Sequence, residues 1–268
     1  MNIFRIKTSY TKLITFHSFN LMEKEPQQPP MPDNLKSLSI EQQRQVLMQL
    51  EKHEHARYIA DIALSETETL KDFVVYPEVL RPESMTSLFL ARHLYKESNL
   101  YGGRTVVDIG CGSGIQGVTM GISGAKQIIL SDISKQAVAN AKENIEKFQL
   151  SDKASVVQSD LFANIEDTAD IIVFNHPFFP ADPIKDKPVS ISMLDKGDLM
   201  HRFLEEAKKH LNNDGVIIMP YLQLAGEEND PEVQGLAHGF DVEVVVKENI
   251  ETGLQKGYIS ICHLRIKE

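Results

Sequence analysis

The chain has 268 residues, 42% hydrophobic and 25% charged, a composition that excludes a collagen-like fibre, a mainly disordered chain and a disulfide-stapled miniprotein. Thirty-eight acidic against 28 basic residues leave a formal charge of −10, so the molecule as a whole repels phosphate backbones and anionic membrane surfaces; a nucleic-acid partner has to be met by a local patch. Cys111 and Cys262 are too few for a disulfide framework and too far apart for a zinc pair, and no run reaches the roughly 18 apolar residues of a membrane span. A soluble, cytoplasmic protein with no membrane partner is expected.

Residues 1–22 carry Arg5, Lys7 and Lys12 with no acid before Glu23. The run is read as a flexible leader, with Met22 as an alternative start and an organelle transit peptide as the other reading of the same composition. The prolines of residues 25–34 cannot hold a helix, so residues 1–34 form leader and linker. Ser39 and Gln42 make a capping box ahead of the apolar stripe Val46, Leu47 and Leu50, and Tyr58, Ile59 and Ile62 continue or restart it. Residues 35–75 are therefore expected to form a small helical segment that covers the main domain or helps select its substrate.

Residues 76–268 are expected to form that domain. Strand-like runs at 105–109, 127–130, 154–158, 171–174 and 216–219 alternate with helical runs at 115–123, 135–148 and about 198–211, which means βαβ units in a mostly parallel sheet with helices on both faces. The β-rich runs 241–246 and 258–267 add an antiparallel end.

The most informative stretch is Val106-Val107-Asp108-Ile109-Gly110-Cys111-Gly112-Ser113-Gly114, a strand ending in an acid and a glycine turn that opens a helix. Glycines there admit positive φ and close approach of a ligand. Gly112, Gly114 and Gly117, with Asp132 twenty residues after the first, also satisfy a dinucleotide spacing, so a nicotinamide oxidoreductase is a remote alternative. The register opposes it, because Asp108 stands where a pyrophosphate would lie. A carboxylate in that place suits a ligand with a cationic amine or sulfonium. From Thr105 to Glu268 the chain resembles the class I S-adenosylmethionine-dependent methyltransferases, whose first motif is an acid followed by GxGxG. The resemblance implies a Rossmann-like seven-stranded α/β sheet and S-adenosylmethionine as cofactor. It implies that Gly110, Gly112 and Gly114, with Cys111 inside the turn, line the amino-acid end of the cofactor and that Asp108 supports the turn. It further implies that Asp132 accepts from the ribose hydroxyls, that Ile133 flanks the adenine, and that Asp160 and Leu161 stand where a polar side chain meets the adenine amine.

The fourth strand runs into Asn175-His176-Pro177-Phe178-Phe179-Pro180. Here the chain is similar to methyltransferases with an Asn-Pro-Pro-aromatic motif, which methylate planar nitrogens. A planar amine is a poor nucleophile because its lone pair is delocalised. The resemblance implies that the Asn175 side chain and the His176 carbonyl accept its protons, that Phe178 stacks on the planar group, that Asn175, Pro177 and Phe178 form the acceptor pocket, and that Asn175 also borders the cofactor. His176 replaces the first proline of that pattern, and its ring is either a base or substrate contact or turned away. Arg81-Pro82-Glu83-Ser84, and the run from Asp195 to Leu211, resemble the HemK-type glutamine methyltransferases, although Ser84 and Met85 stand where that family has Thr and Glu. The implied acceptor is a protein glutamine amide or a nucleobase exocyclic amine. Small-molecule N- or O-methylation and a non-catalytic subunit acting through a partner subunit are the alternatives. No metal site is expected, since His53 and His55 are two apart on a probable helix and do not share a face.

Overall fold

The computed structural model describes residues 5–7, 31–252 and 255–267. The flexible leader, apart from Arg5–Lys7, and the alternative start at Met22 lie outside the described residues. In chain order the elements are β1 (Arg5–Lys7), α1 (Ile40–His53), β2 (Tyr58–Ala63), β3 (Thr69–Val75), α2 (Met85–Lys96), β4 (Thr105–Ile109), α3 (Ile115–Ile122), β5 (Gln127–Asp132) and α4 (Lys135–Lys147). They continue with β6 (Ala154–Gln158), β7 (Ala169–Phe174), α5 (Asp198–His210), β8 (Leu211–Leu222), α6 (Pro231–Ala237), β9 (Phe240–Thr252) and β10 (Gln255–Ile266).

Among the described residues seven strands form one sheet in the order β6-β5-β4-β7-β8-β10-β9. The first five run parallel, and β10 is antiparallel to both β8 and β9. The central strands are apolar at consecutive positions because both their faces are covered. Val106, Ile128, Leu130, Ile171, Val173 and Ile218 share one core with Leu90 and Leu94 of α2 and Val118 of α3. Their neighbours Val107, Ile129, Ile172 and Ile217 share the opposite core with Met200, Phe203 and Leu204 of α5. The order of the sheet reverses beside β4, and in such sheets ligands sit at the carboxyl ends of the strands at that switch point. The ends of β4, β5 and β7 are the positions of Asp108, Asp132 and Asn175.

The expected N-terminal helical segment is half corrected. Helix α1 forms behind the Ser39–Gln42 capping box, but residues 58–75 are a β-hairpin, β2 pairing antiparallel with β3 and parallel with β1. Tyr58, Ala60 and Ile62, two apart, lie in the same core as Val75 and the sheet. That is a strand's period, and burial of this face against the main domain decides the outcome over the helical spacing. The hairpin is pinned to α4 by two buried amides. Asn144 accepts from the Val74 N–H at 2.9 Å and donates to the carbonyls of Val74 and Ser113 at 2.8 and 2.9 Å. Asn140 accepts from the Tyr76 N–H at 2.8 Å and donates to the Val74 carbonyl at 2.9 Å.

Candidate active site

A cavity of about 460 Å³ opens at the switch point, a size typical of a small-molecule site. Its floor is the turn between β4 and α3. Gly110 and Gly114 there have φ of 62° and 83°, a region L side chains rarely adopt. A Cβ at Gly114 would also lie 3.2 Å from Ala141. The turn therefore demands glycine. Beneath it Asp108, 1% exposed, accepts from the Gly117 N–H at 3.0 Å. Burial pushes its carboxyl up to about 8, partly offset by the Gly117 N–H and reinforced by the charge of Asp132. Asp108 thus braces the turn from below as a neutral acid at neutral pH. It does not line the cavity.

Asp132, at the end of β5, does line the cavity. One carboxylate oxygen accepts from the Gly112 N–H and the other from the Ser134 N–H, both at 2.9 Å. Burial raises its pKa and the N–H groups of Ser134 and Gly112 work against that rise. The acid closing the second strand is therefore coupled to the glycine turn through one backbone bond. Gly110, Cys111, Gly112 and Ile133 share the wall with it. Cys111 donates its N–H to the Ser131 carbonyl at 2.9 Å, and burial drives its thiol well above the ordinary range, so it packs as a small apolar group.

Asp160 and Leu161 are elsewhere. Asp160 is half-buried and paired with Arg202 at 2.8 Å, and Leu161 is buried in the core under α5. The competing ion pair and the apolar core draw these side chains from the cavity wall.

At the end of β7 the structure divides the Asn175–Phe178 run. Asn175 lines the cavity. Its Nδ2 donates to Ser87 Oγ at 2.9 Å, and its Oδ1 is buried with no hydrogen-bond partner among the described residues. His176, 1% exposed, donates from Nε2 to the Asn229 carbonyl at 2.8 Å. Burial lowers its pKa to about 4, leaving the ring neutral. Phe178 packs on that ring with centroids 4.6 Å apart and shares a hydrophobic cluster with Leu35, Val46 and Leu50. His176, Pro177 and Phe178 are absent from the wall of this cavity. The helix α1 cluster and the Asn229 carbonyl offer these side chains better partners than solvent does. Asn229 clamps the segment, donating to the carbonyls of Phe178 and Asp195 at 3.2 and 2.7 Å.

Glu78, Val79, Leu80 and Pro82 also line the cavity. His53 Nδ1 accepts from the Arg81 N–H at 3.0 Å and His55 Nε2 donates to the Val79 carbonyl at 3.2 Å. Arg81 donates from Nε to Tyr58 Oη at 3.2 Å, and that hydroxyl donates to Glu83 at 2.7 Å. The Arg81–Ser84 run is thus held in place by the hairpin and the end of α1. At the mouth are Lys185, Lys187 and Ile191, with Lys187 paired to Glu54 beyond α1. Sequence reasoning missed Ser87 and Gln116. Gln116, 3% exposed, lines the cavity and donates from Nε2 to the Ser87 carbonyl at 3.1 Å, while its Oε1 has no partner among the described residues. The only signal was a polar residue where α3 begins, which alone does not separate a ligand contact from a cap. Among the described residues no three His, Cys, Asp or Glu cluster to hold a metal ion, and no helix is long and apolar enough to cross a membrane.

The geometry suits a bound S-adenosylmethionine: a glycine floor that only backbone without Cβ can form, a buried carboxylate able to accept from hydroxyls, and buried amide oxygens awaiting donors. Residues 84–229, just over half of the chain, match the methyltransferase small domain. A protein of Methanocaldococcus jannaschii provisionally named protein N5-glutamine methyltransferase is 31% identical over 176 residues, covering 63% of this chain and 85% of that one. The release factor glutamine methyltransferase of Rhodopirellula baltica is 34% identical over 128 residues, 43% of each chain. Among solved structures, the ribosomal protein L11 methylase of Lactobacillus delbrueckii subsp. bulgaricus shares 21% identity at a TM-score of 0.52, covering 77% of this chain and 98% of its own. The Thermus thermophilus 16S rRNA N2 G1207 methyltransferase, solved with S-adenosylmethionine and guanosine, shares 18% at 0.57, covering 80% and 51%. Both structures are similar in fold. The strand-end site, the sheet order and the matched family together place the chain in the methyltransferase small domain family, as a class I S-adenosylmethionine-dependent methyltransferase with HemK-type relatives.

Proposed function

We infer that the protein methylates a planar nitrogen, and that the nitrogen is the side-chain amide of a protein glutamine. The observation that carries this is the buried Asn175 Oδ1, left without a partner at the cavity wall beside the glycine turn. A buried acceptor without a donor costs about 1 to 3 kcal/mol, and an amide N–H entering the cavity removes that cost. S-adenosylmethionine, when bound, supplies an electrophilic methyl group on a sulfonium. The residues that would hold it are Gly110, Cys111, Gly112, Asp132 and Ile133. Accepting a hydrogen bond at Oδ1 holds the amide plane, so that the nitrogen presents its face towards the methyl group. Positioning of this kind supplies on the order of 7 to 11 kcal/mol when the reactants are well aligned. Among the described residues no histidine lines the cavity, which supports positioning over side-chain base catalysis.

The two glutamine-methylating relatives support the protein amide over the nucleobase, and so does the charge of −10. Among the described residues the cations lining the cavity are Lys185 and Lys187, and Lys187 is paired with Glu54, which supports a protein over a phosphate backbone.

The test is transfer of labelled methyl from S-adenosylmethionine into an extract of source cells lacking the gene, separated into protein, nucleic acid and small molecules. Label is expected in the protein fraction, falling at least about a hundredfold in Asn175→Ala with cofactor affinity little changed. Full transfer by Asn175→Ala would overturn the role given to that residue.

A further inference from the structure

An asparagine amide can accept a proton only on the side its carbonyl faces, and the χ2 torsion that decides this is broad and roughly two-fold. In the structure the Ser87 hydroxyl, which can both donate and accept, meets the Asn175 amide as an acceptor. Because Nδ2 donates to Ser87 Oγ at 2.9 Å, the planar group has its Oδ1 on the opposite side, where it is buried and without a partner among the described residues. Ser87 is itself fixed from two directions. The hydroxyl of Ser84, which stands at the N-cap of α2 and makes no capping bond there, donates instead to Ser87 Oγ at 3.0 Å. Gln116, from the first turn of α3, donates to the Ser87 backbone carbonyl at 3.1 Å. Ser87 is 4% exposed and lines the same cavity. Three elements thus meet at one serine: α2, the helix that follows the glycine turn, and the end of β7.

We propose that Ser87 is a positioning residue for methyl transfer, its hydroxyl holding the Asn175 amide in the one orientation that accepts an N–H from the methyl acceptor. The proposal rests on the acceptor role inferred for Asn175. Without the hydroxyl, Nδ2 loses its partner and the amide populates both orientations, of which one presents donors to the acceptor's amide NH2, which itself only donates.

The experiment measures initial rates of labelled methyl transfer from S-adenosylmethionine into serial dilutions of the protein fraction of the extract described above. It uses wild type, Ser87→Ala, Ser87→Thr, Asn175→Ala and the double variant Ser87→Ala/Asn175→Ala, with cofactor affinity measured by calorimetry on each. Ser87→Ala is expected to lower the rate about tenfold with cofactor affinity within about threefold of wild type, and Ser87→Thr to lose less. In the Asn175→Ala background, Ser87→Ala is expected to make no further difference, because its effect passes through that amide. A full rate in Ser87→Ala overturns the proposal, and so does an equal loss in both backgrounds, which would mark a purely structural serine. Should Ser87→Ala fail to bind cofactor, Ser87→Cys carries the same comparison. Full transfer by Asn175→Ala overturns the role of Asn175 and the proposal with it, whereas a slow Asn175→Ala beside a fast Ser87→Ala overturns the proposal alone.

Discussion

Asp132 does two things with one carboxylate: it fixes the glycine turn through Gly112 and the start of α4 through Ser134. Replacing it by alanine frees both N–H groups and removes an acceptor from the cavity wall. Cofactor affinity should then fall about 10- to 100-fold, equivalent to roughly 1.4 to 2.7 kcal/mol, and Asp132→Asn should lose less. Titration calorimetry with S-adenosylmethionine checks this; unchanged affinity in Asp132→Ala would remove the residue from the binding site. Asp132, Asn175 and the glycines were legible in the sequence because a strand end, a turn and a helix start leave a local signature. The paths taken by Phe178 and Asp160 were not. A partner such as Arg202, 42 residues from Asp160, or α1, more than a hundred residues before Phe178, is set by tertiary packing alone.

The turn holds its shape because α3 comes unusually close to β5. A Cβ at Gly117 would lie 2.4 Å from a methyl carbon of Leu130. Gly117→Ala should therefore push the helix from the strand, lengthen the bond from Gly117 to Asp108, and cost about 1 to 3 kcal/mol in a urea unfolding experiment. A stability unchanged from wild type would show that the helix can shift freely. The same element scale explains the misread hairpin. Residues 58–62 offer apolar groups at spacings compatible with helix or strand, and what decides is the other strand, the face of the main domain and the Asn140 and Asn144 side chains. Asn144→Leu leaves the Val74 amide and the Ser113 carbonyl without their side-chain partner and the Val74 carbonyl with the Asn140 bond alone, and a loss of about 2 to 3 kcal/mol is expected in the same unfolding measurement.

Over the whole molecule, buried titratable groups set how stability varies with pH. His53, His176 and His263 are each lowered by burial to about 4 from an ordinary 6.5. Between those values the unfolded chain binds more protons than the fold, so their contribution is present above pH 6.5 and lost as pH falls towards 4. Asp108 acts in the opposite sense. Its folded pKa of about 8, against 3.8, makes the fold bind more protons, so stability drains away as pH rises towards 8. Burial raises Asp132 and Asp230 in the same sense as Asp108 and lowers His93 in the same sense as the three histidines. Asp108→Asn keeps an oxygen for the Gly117 N–H and should flatten the fall between pH 6.5 and 8 in thermal unfolding; an unchanged slope would mean that Asp108 is ionised in the fold. The alternation of strands and helices announced the seven-stranded sheet in advance, because each crossover needs only local pattern.

The central claim concerns the methylated atom. Labelled methyl transferred to the protein fraction and then subjected to acid hydrolysis distinguishes the possibilities by chemistry alone, since a side-chain amide is cleaved to glutamate and a free amine, whereas a methylated lysine or arginine keeps its label on the amino acid. Recovery of the label as volatile methylamine, absent when Asn175→Ala replaces the wild-type enzyme, is the result this account predicts. Label retained on a non-volatile amino acid, or found in the nucleic-acid fraction, would contradict it.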